Sequence, residues 1–260
     1  MSSWETIRIE VEGKIARLIL NRPEVRNAFD ERMIAEIHRA AEELSKMDSV
    51  RVVIITGEGR AFSAGADVEW MRRMGQASHT ENEADAKLLA YMLDSVASIP
   101  KATLARVNGP AIGGGTGLVA ACDVVVADDS AFFSFSEVKI GLIPACIAPY
   151  VIRRVGEGRA RELFITGRRF TAREAFDYGL VDYLAPQGKI DEKIEETLAL
   201  LTTSGPKAIA SAKRLTREVV GMSRKDYIEY TARMIANLRT SDEGKEGISA
   251  FLEKRKPHWA

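Results

Sequence analysis

The sequence predicts an α/β fold, a spiral of ββα units followed by a helical region, on three observations. Short, mainly apolar strands recur at 52–56, 102–107 and 124–127, and 52–56 has the unbroken pattern of a strand buried on both faces. Each runs on into a helix or a long turn, at irregular spacing. From about residue 191 the apolar period is helical only, which divides the chain into a core over 1–190 and a helical appendage over 191–260.

Taken in order, residues 7–11 and 15–20 form a hairpin around Glu12-Gly13. The loop NRPEVRNAF follows, with Pro23 and two arginines, Arg22 and Arg26. Asp30 caps a helix whose Met33, Ile34, Ile37, Ala40, Ala41 and Leu44 keep helical spacing. After strand 52–56, GEGRAFSAGADVEWM is a loop of small residues entering a short helix. Residues 72–86 are polar without a clear period and read as a mobile flap before a helix over 86–99. Strand 102–107 turns at Asn108-Gly109-Pro110, passes Gly113, Gly114 and Gly115, and enters an apolar helix ending at Asp123. Short strands and turns over 130–144 carry Glu137, and helices cover 147–154 and 158–166. Residues 167–184 read as strand, Thr171-capped helix, strand. Four helices close the chain, at 191–203, 206–220, 224–238 and 241–254. The last carries Ile248, Phe251 and Leu252 on one stripe, a surface suited to a neighbouring subunit.

Composition narrows the partners. Lys plus Arg (37) equals Asp plus Glu (37), so no global field draws nucleic acid or a membrane surface. Cys122 and Cys146 sit in apolar contexts without metal-ligand spacing, as buried thiols of a reducing compartment do. MSSWETIRIE has no signal-peptide pattern and no apolar run is long enough to span a bilayer, so a cytoplasmic protein is expected. His38, His79 and His258 form no recognisable triad, and no metal site is visible.

The stretch VNGPAIGGGTGLVAACD carries the chemistry. Glycines opening a buried helix let a ligand approach the backbone, and first-turn N–H groups have no partner within the helix. Such donors suit a phosphate, a carboxylate or an oxygen that becomes negative during reaction; a tight strand-to-helix turn would use the same residues. No lysine follows the glycines, which argues against a P-loop, and the spacing 113, 114, 115, 117 is not that of a dinucleotide fingerprint. The loop of 57–71 also follows a buried strand, so the two loops are placed to offer two N–H donors to one oxygen. Glu137 stands between Phe132-Phe133 and the apolar run 140–144; a lone glutamate is usually solvated surface, but in an apolar pocket its pKa would rise, as suits a proton shuttle.

RPEVRNAF, AFSAGADVEWM, VNGPAIGGGTGLVAACD, FSEVKIGLIP, RRFTAREAFDYGLVD and EGISAFLEKRKP, in this order, resemble the crotonase superfamily, the enoyl-CoA hydratases and isomerases, over nearly the whole chain. The resemblance implies ββα turns, a C-terminal helical trimerisation region, and a homotrimer or a hexamer built as a dimer of trimers. It implies an acyl-CoA substrate, with coenzyme A present only as the thioester part and no permanent cofactor. By position, Ala66 and Gly114 would supply the oxyanion-hole N–H groups and Glu137 the acid/base. CoA would lie along Val25, Arg26 and Ala28, with adenine near Ala64 and Asp67, and with Phe251 and Lys254 reaching it from a neighbouring subunit. The family's hydratases hold water between two glutamates; here the first falls on Gly117. That departure by itself favours an isomerase, whereas AGADVEWM with SEVKIGLIPACIAPYVIRRVGE is similar to the bacterial methylglutaconyl-CoA hydratase branch. A hydratase is the reading preferred; an isomerase, a thioester hydrolase and a non-catalytic CoA-binding protein are the alternatives.

Overall fold

A computed structural model describes residues 4–260. In chain order its core contains β1 (Ile7–Glu12), β2 (Ile15–Leu20), α1 (Glu31–Lys46), β3 (Val52–Gly57), α2 (Val68–Met74), α3 (His79–Ser98) and β4 (Ala102–Val107). There follow β5 (Ala111–Ile112), α4 (Gly114–Ala121), β6 (Val124–Asp128), β7 (Phe132–Ser134), α5 (Ala148–Thr166), β8 (Arg169–Thr171), α6 (Ala172–Asp177) and β9 (Tyr183–Ala185). Four helices complete the chain: α7 (Ile190–Thr202), α8 (Pro206–Glu218), α9 (Arg224–Thr240) and α10 (Asp242–Leu252).

The main sheet has the order β1-β2-β3-β4-β6-β9. Only β1 and β2 are antiparallel, a hairpin in which Ile7 faces Leu20; every other pairing is parallel. A smaller sheet, β5-β7-β8, lies beside it. Strand β3 is buried throughout, as its unbroken apolar run predicts. Its alternate side chains serve two cores: Val53 and Ile55 pack with α1 residues Met33, Ile37 and Leu44 and α3 residues Met92, Leu93 and Val96. Val52 and Ile54 pack with Ile190, Ile194 and Leu198 of α7. The helix-only periodicity thus begins with a helix that covers one face of the main sheet.

Local capping follows the sequence. The Asp30 carboxylate accepts from the Met33 N–H at 2.8 Å, and Thr171 and Glu174 form a reciprocal box at the start of α6. Helix α5 contains Gly156 at φ 76°, which kinks it between the two expected segments. The expected flap at 72–86 is corrected: α2 runs to Met74 and α3 starts at His79. Ser78 and Glu81 form a capping box there, satisfying two orphan donors and starting the helix without an apolar stripe.

Beneath α8, the Lys213 ammonium lies 2.6 Å from an Asp123 carboxylate oxygen and donates to the carbonyls of Ile99 and Lys101 at 2.7 Å each. Burial pushes its pKa down while Asp123 opposes the shift. Removing one partner strands the other charge, which costs about 3–5 kcal/mol. Lys213→Ala is therefore expected to lower the urea midpoint by an equivalent amount at unchanged slope, and Lys213→Met combined with Asp123→Asn by distinctly less.

Candidate active site

Parallel pairing sets where the site lies. Because β2, β3, β4 and β6 run the same way, the segments leaving their carboxyl ends emerge at one edge of the sheet, where open α/β sheets bind ligands. Those segments carry Val25–Ala28 after β2, Ala64–Asp67 after β3, Gly113 and Gly114 after β4, and Glu137 beyond β6.

The first three loops are stitched by backbone. Phe29 N–H donates to the Gly65 carbonyl at 2.6 Å and Asp67 N–H to the Phe29 carbonyl at 2.8 Å, clasping Ala66 between them. Ala64 N–H reaches the Arg26 carbonyl at 2.9 Å, and Ile112 N–H reaches the Ser63 carbonyl at 3.0 Å. Among the described residues, every N–H from Phe62 to Asp67 has an acceptor except that of Ala66. Gly114 is the first residue of α4, so its N–H has no intrahelical partner, while Gly113 donates to Ser134 at 2.8 Å. Both residues are half-buried, whereas Gly65, Asp67, Gly113 and Gly115 on either side are buried. The two expected donors are thus brought to adjoining loops, each with its N–H free.

Glu137 stands in a 3-10 turn, Ser136–Ile140. Its carboxylate lies over Gly113, where a Cβ would fall 2.8 Å from Oε1; at φ 51° that position also favours glycine. Oε2 is buried and accepts no hydrogen bond. Burial, the main cause, raises the pKa above the usual carboxylate range.

Val25, Arg26, Ala28, Ala64, Ala66 and Asp67 line one open groove of about 970 Å³, so five of the expected CoA residues share a surface with Ala66, while Gly114 and Glu137 lie outside its lining. Arg22, Arg32 and Arg73 of this groove are ion-paired with Asp30 and Asp67, Glu5, and Glu31 respectively. Among the described residues Arg26 is the groove's one arginine without such a partner, and it is exposed. Asp67 spends its side chain on the Glu69 and Trp70 N–H groups and on Arg22; although burial opposes them, these bonds hold its pKa below the usual range. Phe251 and Lys254 lie elsewhere: Phe251 is 81% exposed on α10 and Lys254 follows that helix at φ 54°, neither lining the groove. His38 is on α1, His79 opens α3 exposed to solvent, and the His258 ring lies 3.0 Å from Glu246. Both cysteines are free; burial pushes the Cys122 thiol up to about 12. Among the described residues no group of three or more His, Cys, Asp or Glu is arranged to hold a metal, and no helix is long and apolar enough to cross a membrane.

Two further contributors act through long-range contacts that local sequence patterns do not show. The Arg22 guanidinium donates to the Ala28 carbonyl at 2.8 Å and to Asp67 at 3.0 Å, tying the loop after β2 to the start of α2. Ile147 occupies the space over Gly117, where a Cβ would come within 2.1 Å of its Cγ2. The NRP start of the first loop was the available signal for Arg22; Ile147 had none, being thirty residues from its partner.

A ββα spiral whose strand-end loops converge on a groove is the architecture of crotonase-fold enzymes, and solved structures agree. An enoyl-CoA hydratase from Shewanella pealeana superposes with a TM-score of 0.95 at 34% identity, covering 98% of this chain and 96% of that one. An enoyl-CoA hydratase/isomerase from Marinobacter aquaeolei gives 0.91 at 31%, with 98% of each chain covered. The Dictyostelium discoideum protein named "Probable enoyl-CoA hydratase, mitochondrial" is 33% identical over 255 residues, 98% of this chain and 90% of that protein. The family model described as enoyl-CoA hydratase/isomerase matches residues 10–260, and the chain belongs to that family. It is a member of the crotonase superfamily and an enzyme of the hydratase/isomerase type.

The Glu137 environment makes a stability prediction. Its pKa is raised on folding, so the stability linked to it is complete below the unfolded carboxylate value and is lost as pH rises through the folded one. Glu137→Gln removes that loss. The variant is expected to melt above wild type at about pH 8, with the difference vanishing toward about pH 4; equal melting temperatures at both pH values would show the carboxylate to be well solvated.

Proposed function

We propose that the chain is an enoyl-CoA hydratase acting on a short or branched acyl group, such as that of methylglutaconyl-CoA. The observation that carries this reading is the free N–H of Ala66 in the loop packed against α4, whose first residue is Gly114, with the unpartnered Glu137 carboxylate over Gly113. Two donors aimed at one thioester oxygen stabilise the negative charge that forms there, and one such donor is worth ~3 kcal/mol.

In hydration the water oxygen bonds to the β-carbon as Glu137 takes one of its protons. The electron pair of the double bond moves to the thioester as an enolate, whose oxygen the Ala66 and Gly114 N–H groups hold. Glu137 then returns a proton to the α-carbon, leaving hydroxyl at β and hydrogen at α. A carboxyl with a raised pKa suits both transfers near neutral pH. The groove supports the CoA half: Val25, Ala28 and Ala64 offer backbone and small apolar surface, and unpaired Arg26 is free to meet phosphate oxygens.

The filled space over Gly117 favours a second reading, isomerisation. There Glu137 takes a proton from the α-carbon of a β,γ-enoyl thioester and returns it at the γ-carbon, moving the double bond without adding water.

The division into a core over 1–190 and a helical region over 191–260 accords with assembly as a homotrimer or a dimer of trimers. Helices α9 and α10 expose Ile228, Ile235, Ile248, Phe251 and Leu252, apolar surface that a second copy would cover. Phe251 and Lys254 would then reach the CoA of a neighbour.

Incubation with crotonyl-CoA, methylglutaconyl-CoA and a β,γ-enoyl-CoA in heavy-oxygen water tests the reading by mass spectrometry. Label at the β-carbon is the expected result, with its rate falling by roughly 10²–10⁴ in Glu137→Gln. A shifted double bond without label would replace hydratase by isomerase.

A further inference from the structure

Helix α4 presents one face to the reaction centre. Gly117 N–H donates to the Gly113 carbonyl at 3.0 Å, so the two residues are one turn apart on the same side of the helix. Over Gly113 lies the Glu137 carboxylate, and over Gly117 lies Ile147. Ile147 is itself 2% exposed, at the residue before α5, so neighbouring structure holds it in place. A side chain at 117 and Ile147 exclude one another: a Cβ at 117 would lie 2.1 Å from Cγ2 and 2.6 Å from Cβ of Ile147. The second distance involves an atom that no rotamer change can move away.

We propose that Ile147 is a specificity-determining residue, closing the flank of α4 beside Glu137 with an apolar side chain so that Glu137 is the one side chain there able to hold a water. The pair Gly117 and Ile147 then sets how readily the α,β-enoyl thioester formed by movement of the double bond goes on to add water. An apolar wall disfavours a second ordered water, because nothing on it can accept or donate a hydrogen bond. Oε2 of Glu137, one turn away over the same helix face, is buried without a hydrogen-bond partner. This inference rests on Glu137 being the acid/base of the proposed function, and its test separates the two.

Placement is tested without reference to activity. Gly117→Ala ordinarily stabilises a helix interior, but here it is expected to lower the melting temperature by ~5 °C or more through overpacking. Adding Ile147→Gly to it should restore much of that loss. A Gly117→Ala protein as stable as wild type would overturn the placement. Partition is tested with Ile147→Val and Ile147→Thr, which share a shape and differ by a methyl against a hydroxyl. On a β,γ-enoyl-CoA in heavy-oxygen water, the threonine variant should give a several-fold larger ratio of labelled hydroxyacyl product to shifted enoyl product than the valine variant. Equal ratios would sink the proposal. Glu137→Gln run alongside distinguishes the readings: activity surviving in that variant refutes the proposed chemistry, whereas an inactive Glu137→Gln with equal valine and threonine ratios refutes only the role of Ile147.

Discussion

Parallel pairing of β2, β3, β4 and β6 is the constraint on which the rest of the structure depends. Parallel neighbours cannot be joined by a tight hairpin, so each strand is followed by a long return path, and all of those paths leave from one edge. Three of them are then cross-linked by backbone hydrogen bonds around Phe29, Ser63 and Ala66. The consequence is a rigid corner in which one N–H in the loop after β3 is left over. The clasp at Ala66 takes the carbonyl of Gly65 and the N–H of Asp67 and leaves the donor between them unused. A free donor set into a sheet-anchored loop loses little entropy when it engages a ligand, which is the physical content of preorganisation.

The neighbourhood of Glu137 has the opposite energetic character. A buried carboxylate oxygen without a donor opposes folding, and the two cores that flank β3 offset it. Glycine at 113 makes room for that carboxylate, and Ile147 over Gly117 keeps the adjoining turn of α4 apolar. Desolvation that weakens the fold also moves the proton affinity of Glu137 upward. Stability and proton transfer are thus coupled through the same few side chains.

Much of this was legible in the sequence because it is written locally. The hairpin at β1 and β2, the Asp30 and Thr171 caps, and the doubly buried β3 each depend on residues within a few positions of one another. The same holds for the glycine run entering α4. The flap expected at 72–86 failed for a local reason too: α3 has no apolar stripe in its first two turns, yet Ser78-His79-Thr80-Glu81 carries the capping pattern that starts it. Long-range juxtapositions were not legible. Arg22 meets Asp67 across 45 positions, and Ile147 meets Gly117 across thirty; neither pair has a spacing that any helix or strand period can reveal. The glycine at 117 could be read as a missing glutamate, but not as a position already filled by another residue.

The central claim is that Glu137 moves a proton at the α-carbon of a thioester whose oxygen is held by the Ala66 and Gly114 N–H groups. A saturated acyl-CoA such as butyryl-CoA can undergo neither hydration nor a double-bond shift, yet it can exchange its α-hydrogens. Incubation with wild-type protein in deuterium oxide, followed by mass spectrometry, therefore reads that step alone. The account predicts deuterium uptake at the α-carbon with wild type and its loss in Glu137→Gln, while both proteins bind the ligand. Binding without exchange in wild type, or undiminished exchange in Glu137→Gln, would contradict it.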